Sequence, residues 1–224
     1  MRMLVVLDHP YTIASAENVP HQRSFSAAVA AAAIRGGRAG GHEVDLIDLA
    51  ADGFQPTMSR DDLTAWRQGR VIDPLVADYQ QRLFAAEHLV FVFPVWWEAM
   101  PAATKGFLDR VLTKGLMYEE LPDVHGNPFR NLMTRLGGVS VLSVMTTPDK
   151  AYRWWYRDPL SKIFFKGTFA KIGVRNLRWT NYAGIAGKTP EQRDQLLTET
   201  ERAFAALRPR DSPGSALAQA SPPR

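Results

Sequence analysis

The chain has 224 residues, of which 46% are hydrophobic and 22% are charged, a composition typical of globular proteins and not of disordered chains. Its net charge of +4 comes from basic residues scattered along the sequence, which argues against a nucleic-acid binder, because such proteins gather basic residues on one face. The absence of cysteine excludes disulfides and thiolate metal sites, and the longest apolar run, residues 89–97, is too short to span a bilayer.

Short apolar runs that predict strands alternate with longer segments whose spacing predicts helices. In chain order the expected elements are strand 3–7, helix 24–34, strand 44–49, helix 73–84, strand 89–93, helix 101–112, strand 139–145, a helical or mixed stretch 159–172, strand 177–182 and a helix from 189 to about 207. Gly36 and Gly37 lie past the expected end of the first helix. We expect one domain over residues 1–207, followed by a disordered tail, 208–224, rich in Pro, Ser and Ala.

This alternation predicts an α/β fold with a doubly wound, mostly parallel sheet of about five strands and helices on both faces. The strands are continuously apolar, as expected of strands that are buried on both sides. Because no secretion signal begins the chain, we expect a cytoplasmic protein. Sheets of this kind bind ligands beyond the carboxyl ends of their strands, so the candidate site residues follow Leu7, Phe93 and Met145.

The segment after the first strand holds candidate anion-binding residues. Ser24, Phe25 and Ser26 open a helix, and the free N–H groups of a helix start suit a phosphate. Arg23 would add a charge-assisted donor beside them, and His9 follows the strand directly. The alternatives are structural: Ser24 as an ordinary N-cap and His9 as a packing residue.

The segments after the third and fourth strands offer aromatic and hydroxyl side chains. Trp96 and Trp97 provide flat surfaces next to backbone amides, which suits a planar heteroaromatic ring; the alternative is a loop folded onto the core or into a dimer interface. Thr146 and Thr147 could hold the polar edge of the same ring. The five histidines have no metal-ligand spacing, so no metal site is expected.

These segments together resemble the flavodoxin-like NAD(P)H:quinone oxidoreductases, the DT-diaphorase-like flavoproteins. The main resemblance is the pattern Phe93-Pro-x-x-Trp-x-x-x-x-Pro101-Ala-x-x-Lys105-Gly-x-x-x-Arg110-Val. Shorter matches follow the family's order over roughly residues 3–207: His9 after Leu7, Ser24-Phe25-Ser26, residues 58–62, Thr146-Thr147, Gly173-Val174 and Thr189-Pro190. The resemblance implies a flavodoxin-like fold and a homodimer with the flavin at the subunit interface.

The resemblance also implies roles for individual residues. The flavin's phosphate portion would be held by His9, Ser24, Phe25, Ser26 and Ala27, with Arg23 as a further donor. The isoalloxazine ring would be lined by Pro94, Val95, Trp96 and Trp97. The pyrimidine edge of the ring would be bound by Thr146 and Thr147. Tyr118 would border the substrate pocket together with Trp97. The resemblance at residues 59–61 favours the FAD-using members of the family, with FMN as the alternative cofactor. The choice between NADPH and NADH as electron donor stays open.

Three features depart from the family pattern. The insertion between His9 and Ser24 is long, and Pro148-Asp149 stands where the family has Gly-Gly. The family's proton-transfer Tyr and His also lack a full match: Tyr152 fits the tyrosine, but no histidine follows. We therefore expect Tyr152 or Tyr156 to be the catalytic proton donor.

The resulting hypothesis is a flavin-dependent NAD(P)H oxidoreductase that passes a hydride through bound FAD or FMN to a quinone or similar small acceptor, in a ping-pong reaction. One alternative is a flavin-binding ancillary or regulatory subunit of a partner such as a membrane transporter, because a shared fold does not fix function. A second alternative is a binding protein that has lost its flavin site.

Overall fold

The computed structural model describes residues 1–17, 24–121 and 128–208. Its main sheet has five parallel strands in the order β2-β1-β3-β6-β7: β1 (Arg2–Leu7), β2 (Glu43–Asp48), β3 (His88–Pro94), β6 (Gly138–Val144) and β7 (Asn176–Tyr182). A separate antiparallel hairpin pairs β4 (Tyr118–Glu120) with β5 (Phe129–Asn131). The expected doubly wound sheet is confirmed.

Helices cover both faces of this sheet. They are α1 (Phe25–Ala39), α2 (Arg60–Arg67), α3 (Pro74–Ala85), α4 (Ala102–Val111), α5 (Asp149–Trp154), a π-helix (Ser161–Ala170) and α6 (Pro190–Ala205). Alternate residues of each strand point to opposite faces. Leu4 and Val6 therefore pack with α3, α4 and the π-helix, whereas Met3 and Val5 pack with α1 and α6. Among the described residues, no helix has the length and apolar character needed to cross a bilayer.

The expected end of the first helix is wrong. Helix α1 continues through Gly36 and Gly37 to Ala39, although glycine weakens a helix interior by about 1 kcal/mol relative to alanine. The reason is tertiary: a Cβ at Gly36 would lie 2.1 Å from the backbone oxygen of Glu201 in α6. The glycine therefore permits a close approach of the two helices.

The short elements were absent from the sequence expectation: α2, the β4–β5 hairpin, α5 and two 3₁₀ helices, Ile13–Glu17 and Ile185–Gly187. Helix α2 begins with a capping box in which Ser59 and Asp62 bond each other's backbone N–H groups, a local signal that could have been found. The hairpin strands have only three residues each, too few for a period to show. Apart from Arg208, the predicted tail lies outside the described residues, as do residues 18–23 of the insertion.

Two residues of the sequence pattern that begins at Phe93, Gly106 and Arg110, have structural roles in this fold. Arg110 is buried in α4, where its guanidinium donates to Asp62 and Asp73 at 3.2 and 2.8 Å and to the carbonyl of Gln55. Gly106, one helical turn earlier, lies against Pro56, since a Cβ there would approach within 2.4 Å. These two motif residues hold the segment before α2 against α4.

Candidate functional site

The candidate site lies at the carboxyl ends of β1, β3 and β6. The chain leaves β1 on one side of the sheet and β3 on the other, so the strand order reverses between these neighbours, the arrangement at which open α/β sheets bind ligands. The backbone N–H groups of Asp8 and Val95 donate to the carbonyls of Val92 and Val144 at 3.0 and 2.8 Å. These bonds bring the three strand-end loops to one edge.

The N-terminus of α1 provides a candidate anion site at this edge. Ser24 is the N-cap, and its hydroxyl oxygen accepts the Ala27 N–H at 3.0 Å. Ser24, Ser26 and Ala27 are almost completely buried, and the ring of Phe25 packs edge-on to Tyr182. The side chains of Phe25 and Ala27 therefore belong to the core, and the Ala27 N–H is already used by the cap. Of these two residues, Phe25 is the one whose backbone N–H could serve a ligand. Arg23 lies outside the described residues.

His9, which is separated from β1 by one residue, is held in one tautomer. Its Nδ1 accepts the backbone N–H of Tyr11 at 3.0 Å, and the two rings lie 5.5 Å apart. Burial lowers the pKa of His9 below its ordinary value, so the imidazole is neutral at pH 7. Because Nδ1 is the acceptor, the proton resides on Nε2. His9 can thus donate one hydrogen bond to a ligand oxygen.

Asp8 is a buried carboxylate that the sequence analysis missed. Its Oδ2 accepts both the N–H and the hydroxyl of Thr104, at 2.6 and 2.7 Å. Helix α4 begins after Pro101, whose side chain makes no capping hydrogen bond. Asp8, the residue directly after β1, caps the helix instead. Burial raises the pKa of Asp8 despite these bonds. The contact fixes the start of α4 and, with it, the loop that precedes it.

That loop folds into a tight turn that exposes both tryptophans. Trp96 and Ala99 exchange two backbone hydrogen bonds of 2.9 and 3.0 Å, which leaves Trp97 and Glu98 as the central residues, with φ of 48° and 61°. A two-residue turn with positive φ at both positions usually contains Gly or Asn. Trp97 is 97% exposed and Trp96 58%. The left-handed backbone therefore presents two large aromatic surfaces to solvent at the sheet edge.

The side chains of Thr147 and Tyr152, which follow β6 in the chain, form hydrogen bonds to this strained turn. The hydroxyl of Tyr152 donates to the carbonyl of Glu98 at 2.9 Å, and that of Thr147 donates to Glu98 Oε1 at 3.0 Å. The other carboxylate oxygen, Oε2, is buried without a protein partner in the described structure. Strain held in this way is a recurrent property of functional sites. Glu98 was missed at the sequence level because nothing in its local pattern signals a left-handed turn.

The two predicted catalytic tyrosines occupy different environments. Tyr152 is completely buried, and its hydroxyl also accepts the backbone N–H of Leu160 at 3.1 Å. Burial raises the pKa of Tyr152 to about 12. Tyr156, beyond the end of α5, is half-exposed. Of the two, Tyr156 has the side chain that a ligand in solution can reach.

Tyr118, predicted to border the substrate pocket, lies away from the strand-end loops of its own chain. It lines a groove of about 570 Å³ between α4, the β4–β5 hairpin and the π-helix, together with Trp66, Leu108, Phe129, Ile163 and Lys171. The strand-end residues of β1, β3 and β6 do not line this groove. Trp97 is also not among the described residues that line this groove.

The residues at the sheet edge fit a flavin. A helix start and the donor Nε2 of His9 suit a phosphate; the exposed Trp96 and Trp97 suit a planar ring; and Glu98 Oε2 is an orphaned buried acceptor, which calls for a donor. Thr147, which bonds Glu98 Oε1, is half-buried, and the preceding Thr146 is exposed. Among the described residues, no cluster of His, Asp and Glu could hold a metal ion.

Comparison with known proteins gives matches along most of the chain. Residues 1–207 match the model of a family described as having a flavodoxin-like fold. NAD(P)H dehydrogenase [quinone] 1 of Rattus norvegicus is 32% identical in an alignment of 152 residues that covers 60% of this chain and 52% of that protein. The chain therefore spans about half the length of this relative.

Two solved structures show the same fold at lower sequence identity. An NAD(P)H:quinone oxidoreductase from Methanothermobacter marburgensis superposes with a TM-score of 0.76 at 21% identity, covering 93% of this chain and 99% of that one. An FMN-dependent NADH-azoreductase from Bacillus anthracis, solved in complex with FMN, has a TM-score of 0.70 at 17% identity and covers 92% and 98%.

Proposed function

The chain belongs to the flavodoxin-like NAD(P)H:quinone oxidoreductase family, and from that premise we propose that it is a flavin-dependent NAD(P)H oxidoreductase acting on a quinone or similar small acceptor. The observation that carries the proposal is the edge at the carboxyl ends of β1, β3 and β6. That edge carries a neutral histidine donor, a helix N-terminus and a two-tryptophan turn whose Glu98 has an orphaned carboxylate oxygen.

The cofactor-holding roles follow the geometry of this edge. His9 and the first turn of α1, with Ser24 at its cap, would hold the phosphate portion of the flavin. Pro94, Val95, Trp96 and Trp97 would line the isoalloxazine ring, and Thr146 and Thr147 its pyrimidine edge. When bound, the flavin supplies two-electron transfer, accepting a hydride from NAD(P)H and delivering it to the acceptor in a ping-pong reaction.

Proton delivery to the acceptor is assigned by exposure and hydrogen bonding. Tyr152 is sealed in the interior, both functions of its hydroxyl are used, and its raised pKa makes it a poor acid. We therefore assign Tyr152 the role of holding the turn at Glu98. Tyr156 is half-exposed, and we propose that it, or water, provides the proton.

We also propose that the active form is a homodimer. Tyr118 opens onto the groove beside α4, apart from the strand-end loops of its own chain. A partner subunit that packs against this face would allow Tyr118 to border the neighbouring site, as the resemblance implies. The cofactor is proposed to be FAD or FMN: the azoreductase structure contains FMN, while residues 59–61 lean towards FAD.

The deciding experiment uses the purified full chain without any partner. We expect a yellow protein whose absorbance spectrum and released-cofactor mass identify FAD or FMN. We also expect steady oxidation of NADPH or NADH when a simple benzoquinone is added. Bound flavin without turnover would favour an ancillary subunit, although the relatives described above bear the names of oxidoreductases. A colourless protein that takes up neither flavin would refute the proposal.

A further inference from the structure

Glu98 occupies an unusual position for a charged side chain. It sits at φ 61° in the turn after Trp97, and its backbone carbonyl is fixed by Tyr152 at 2.9 Å. One carboxylate oxygen contacts Thr147 and the other is buried with no partner in the described structure. A buried carboxylate oxygen without a donor carries a desolvation penalty, so its position calls for an explanation in terms of a ligand.

The contact between Glu98 and Thr147 fixes the direction of a hydroxyl proton. The Thr147 hydroxyl donates to Glu98 Oε1 at 3.0 Å. The lone pairs of Thr147 Oγ1 are then free for another donor. Two acceptors, Thr147 Oγ1 and Glu98 Oε2, consequently stand next to each other where the β3 and β6 loops meet.

A pair of acceptors recognises a ligand group that carries an N–H. We propose that Glu98, acting with Thr147, is a specificity-determining residue that binds the imide N–H (N3–H) of the flavin's pyrimidine ring. This inference rests on the flavin proposed above. The imide is favoured over the carboxamide of a nicotinamide because Glu98 directly follows Trp97 in one turn and Thr147 lies in the loop assigned to the ring's pyrimidine edge.

The test compares FMN with 3-methyl-FMN, which lacks the imide N–H. Their dissociation constants are measured by fluorescence titration in the wild type, Glu98→Gln and Thr147→Val, so the readout does not depend on turnover. Glu199→Gln is the matched control, because Glu199 is exposed on α6 and its partner Gln195 keeps an acceptor after the change. Glutamine at position 98 carries no charge, so even an amide oxygen turned towards the imide makes the weaker, neutral hydrogen bond.

We expect the wild type and the control to prefer FMN over 3-methyl-FMN by roughly ten- to a hundredfold, the range for a hydrogen bond to a charged group. In both site variants this preference falls at least severalfold. In an alkaline titration of bound FMN, the N3–H ionises at higher pH in the wild type than in Glu98→Gln, because the carboxylate disfavours a second negative charge.

Several outcomes would overturn this inference. If FMN binds and the preference is unchanged in both variants, Glu98 does not recognise the imide, although the flavin site itself stands. A change confined to NAD(P)H affinity would assign Glu98 to the carboxamide instead. Thr147→Val gives an independent reading should Glu98→Gln fail to fold. If the wild type binds neither flavin, the proposed function fails first.

Discussion

Replacing Tyr152 with phenylalanine separates a holding role from a proton-donating one. The hydroxyl donates to the Glu98 carbonyl at 2.9 Å and accepts the Leu160 N–H at 3.1 Å, and the residue is fully buried. Tyr152→Phe therefore removes two hydrogen bonds and leaves a buried N–H unsatisfied. At about 0.5–1.5 kcal/mol for each bond and about 1–3 kcal/mol for an unsatisfied group, the expected loss is about 2–6 kcal/mol of unfolding free energy.

For a domain of this size, each kcal/mol shifts the melting temperature by about 2–4 °C, so Tm should fall by about 4–24 °C. The turn at Trp97 and Glu98 also loses a support for its left-handed backbone, which costs about 1–2 kcal/mol per residue. Flavin affinity should fall with it. Urea unfolding and thermal melting of the apo protein give the first quantity, and flavin fluorescence titration gives the second.

Tyr156→Phe is the matched control, because that side chain is half-exposed and no stability change beyond about 0.5 kcal/mol is expected. Stopped-flow traces then follow flavin reduction by NADPH and reoxidation by quinone separately. A true proton donor contributes about 10²–10⁴-fold to its step. If Tyr152→Phe keeps wild-type stability and flavin affinity but slows only reoxidation by such a factor, our reasoning about Tyr152 is refuted.

Three further experiments test the rest of the architecture. Burial raises the pKa of Asp8, so protonation of this carboxyl stabilises the folded state relative to the unfolded chain. This contribution to the unfolding free energy is complete below the ordinary pKa of about 4 and is lost as pH rises through the raised pKa. Urea unfolding across that pH range should therefore show less pH dependence in Asp8→Asn than in the wild type. Gly36→Ala should lower the unfolding free energy by about 1–3 kcal/mol, because the added methyl group overpacks against α6. Gly187→Ala is the control and should be nearly neutral, because a Cβ there has open space around it. Equal effects of the two substitutions in chemical denaturation would contradict the close approach of α1 and α6. Ser24→Ala and Ser59→Ala should each lose about 1 kcal/mol as N-caps, but only the Ser24 variant should bind flavin more weakly, and equal flavin affinities would move the phosphate site elsewhere.

Much of the fold could be read from the sequence because its signals are local. The runs that became β1, β3 and β6 are apolar over most of their length, as parallel strands covered on both faces must be. The long helices could be recognised from their spacing and caps, including Thr189 before α6. Once the strands were identified, the parallel sheet also indicated where a ligand binds, because the carboxyl ends of parallel strands lie at one edge of the sheet.

The tertiary structure decided what happens at that edge. Glu98 meets Thr147 and Tyr152 across 49 and 54 residues of sequence, and Asp8 meets Thr104 across 96. Such contacts exist only after the sheet has brought the loops together, so no local pattern encodes them. The left-handed turn is likewise a tertiary result: its residues disfavour that backbone locally, and hydrogen bonds from the neighbouring loop and from α5 hold it. Helix α1 continues through Gly36 for the same kind of reason, because its close approach to α6 outweighs the weak helix propensity of glycine.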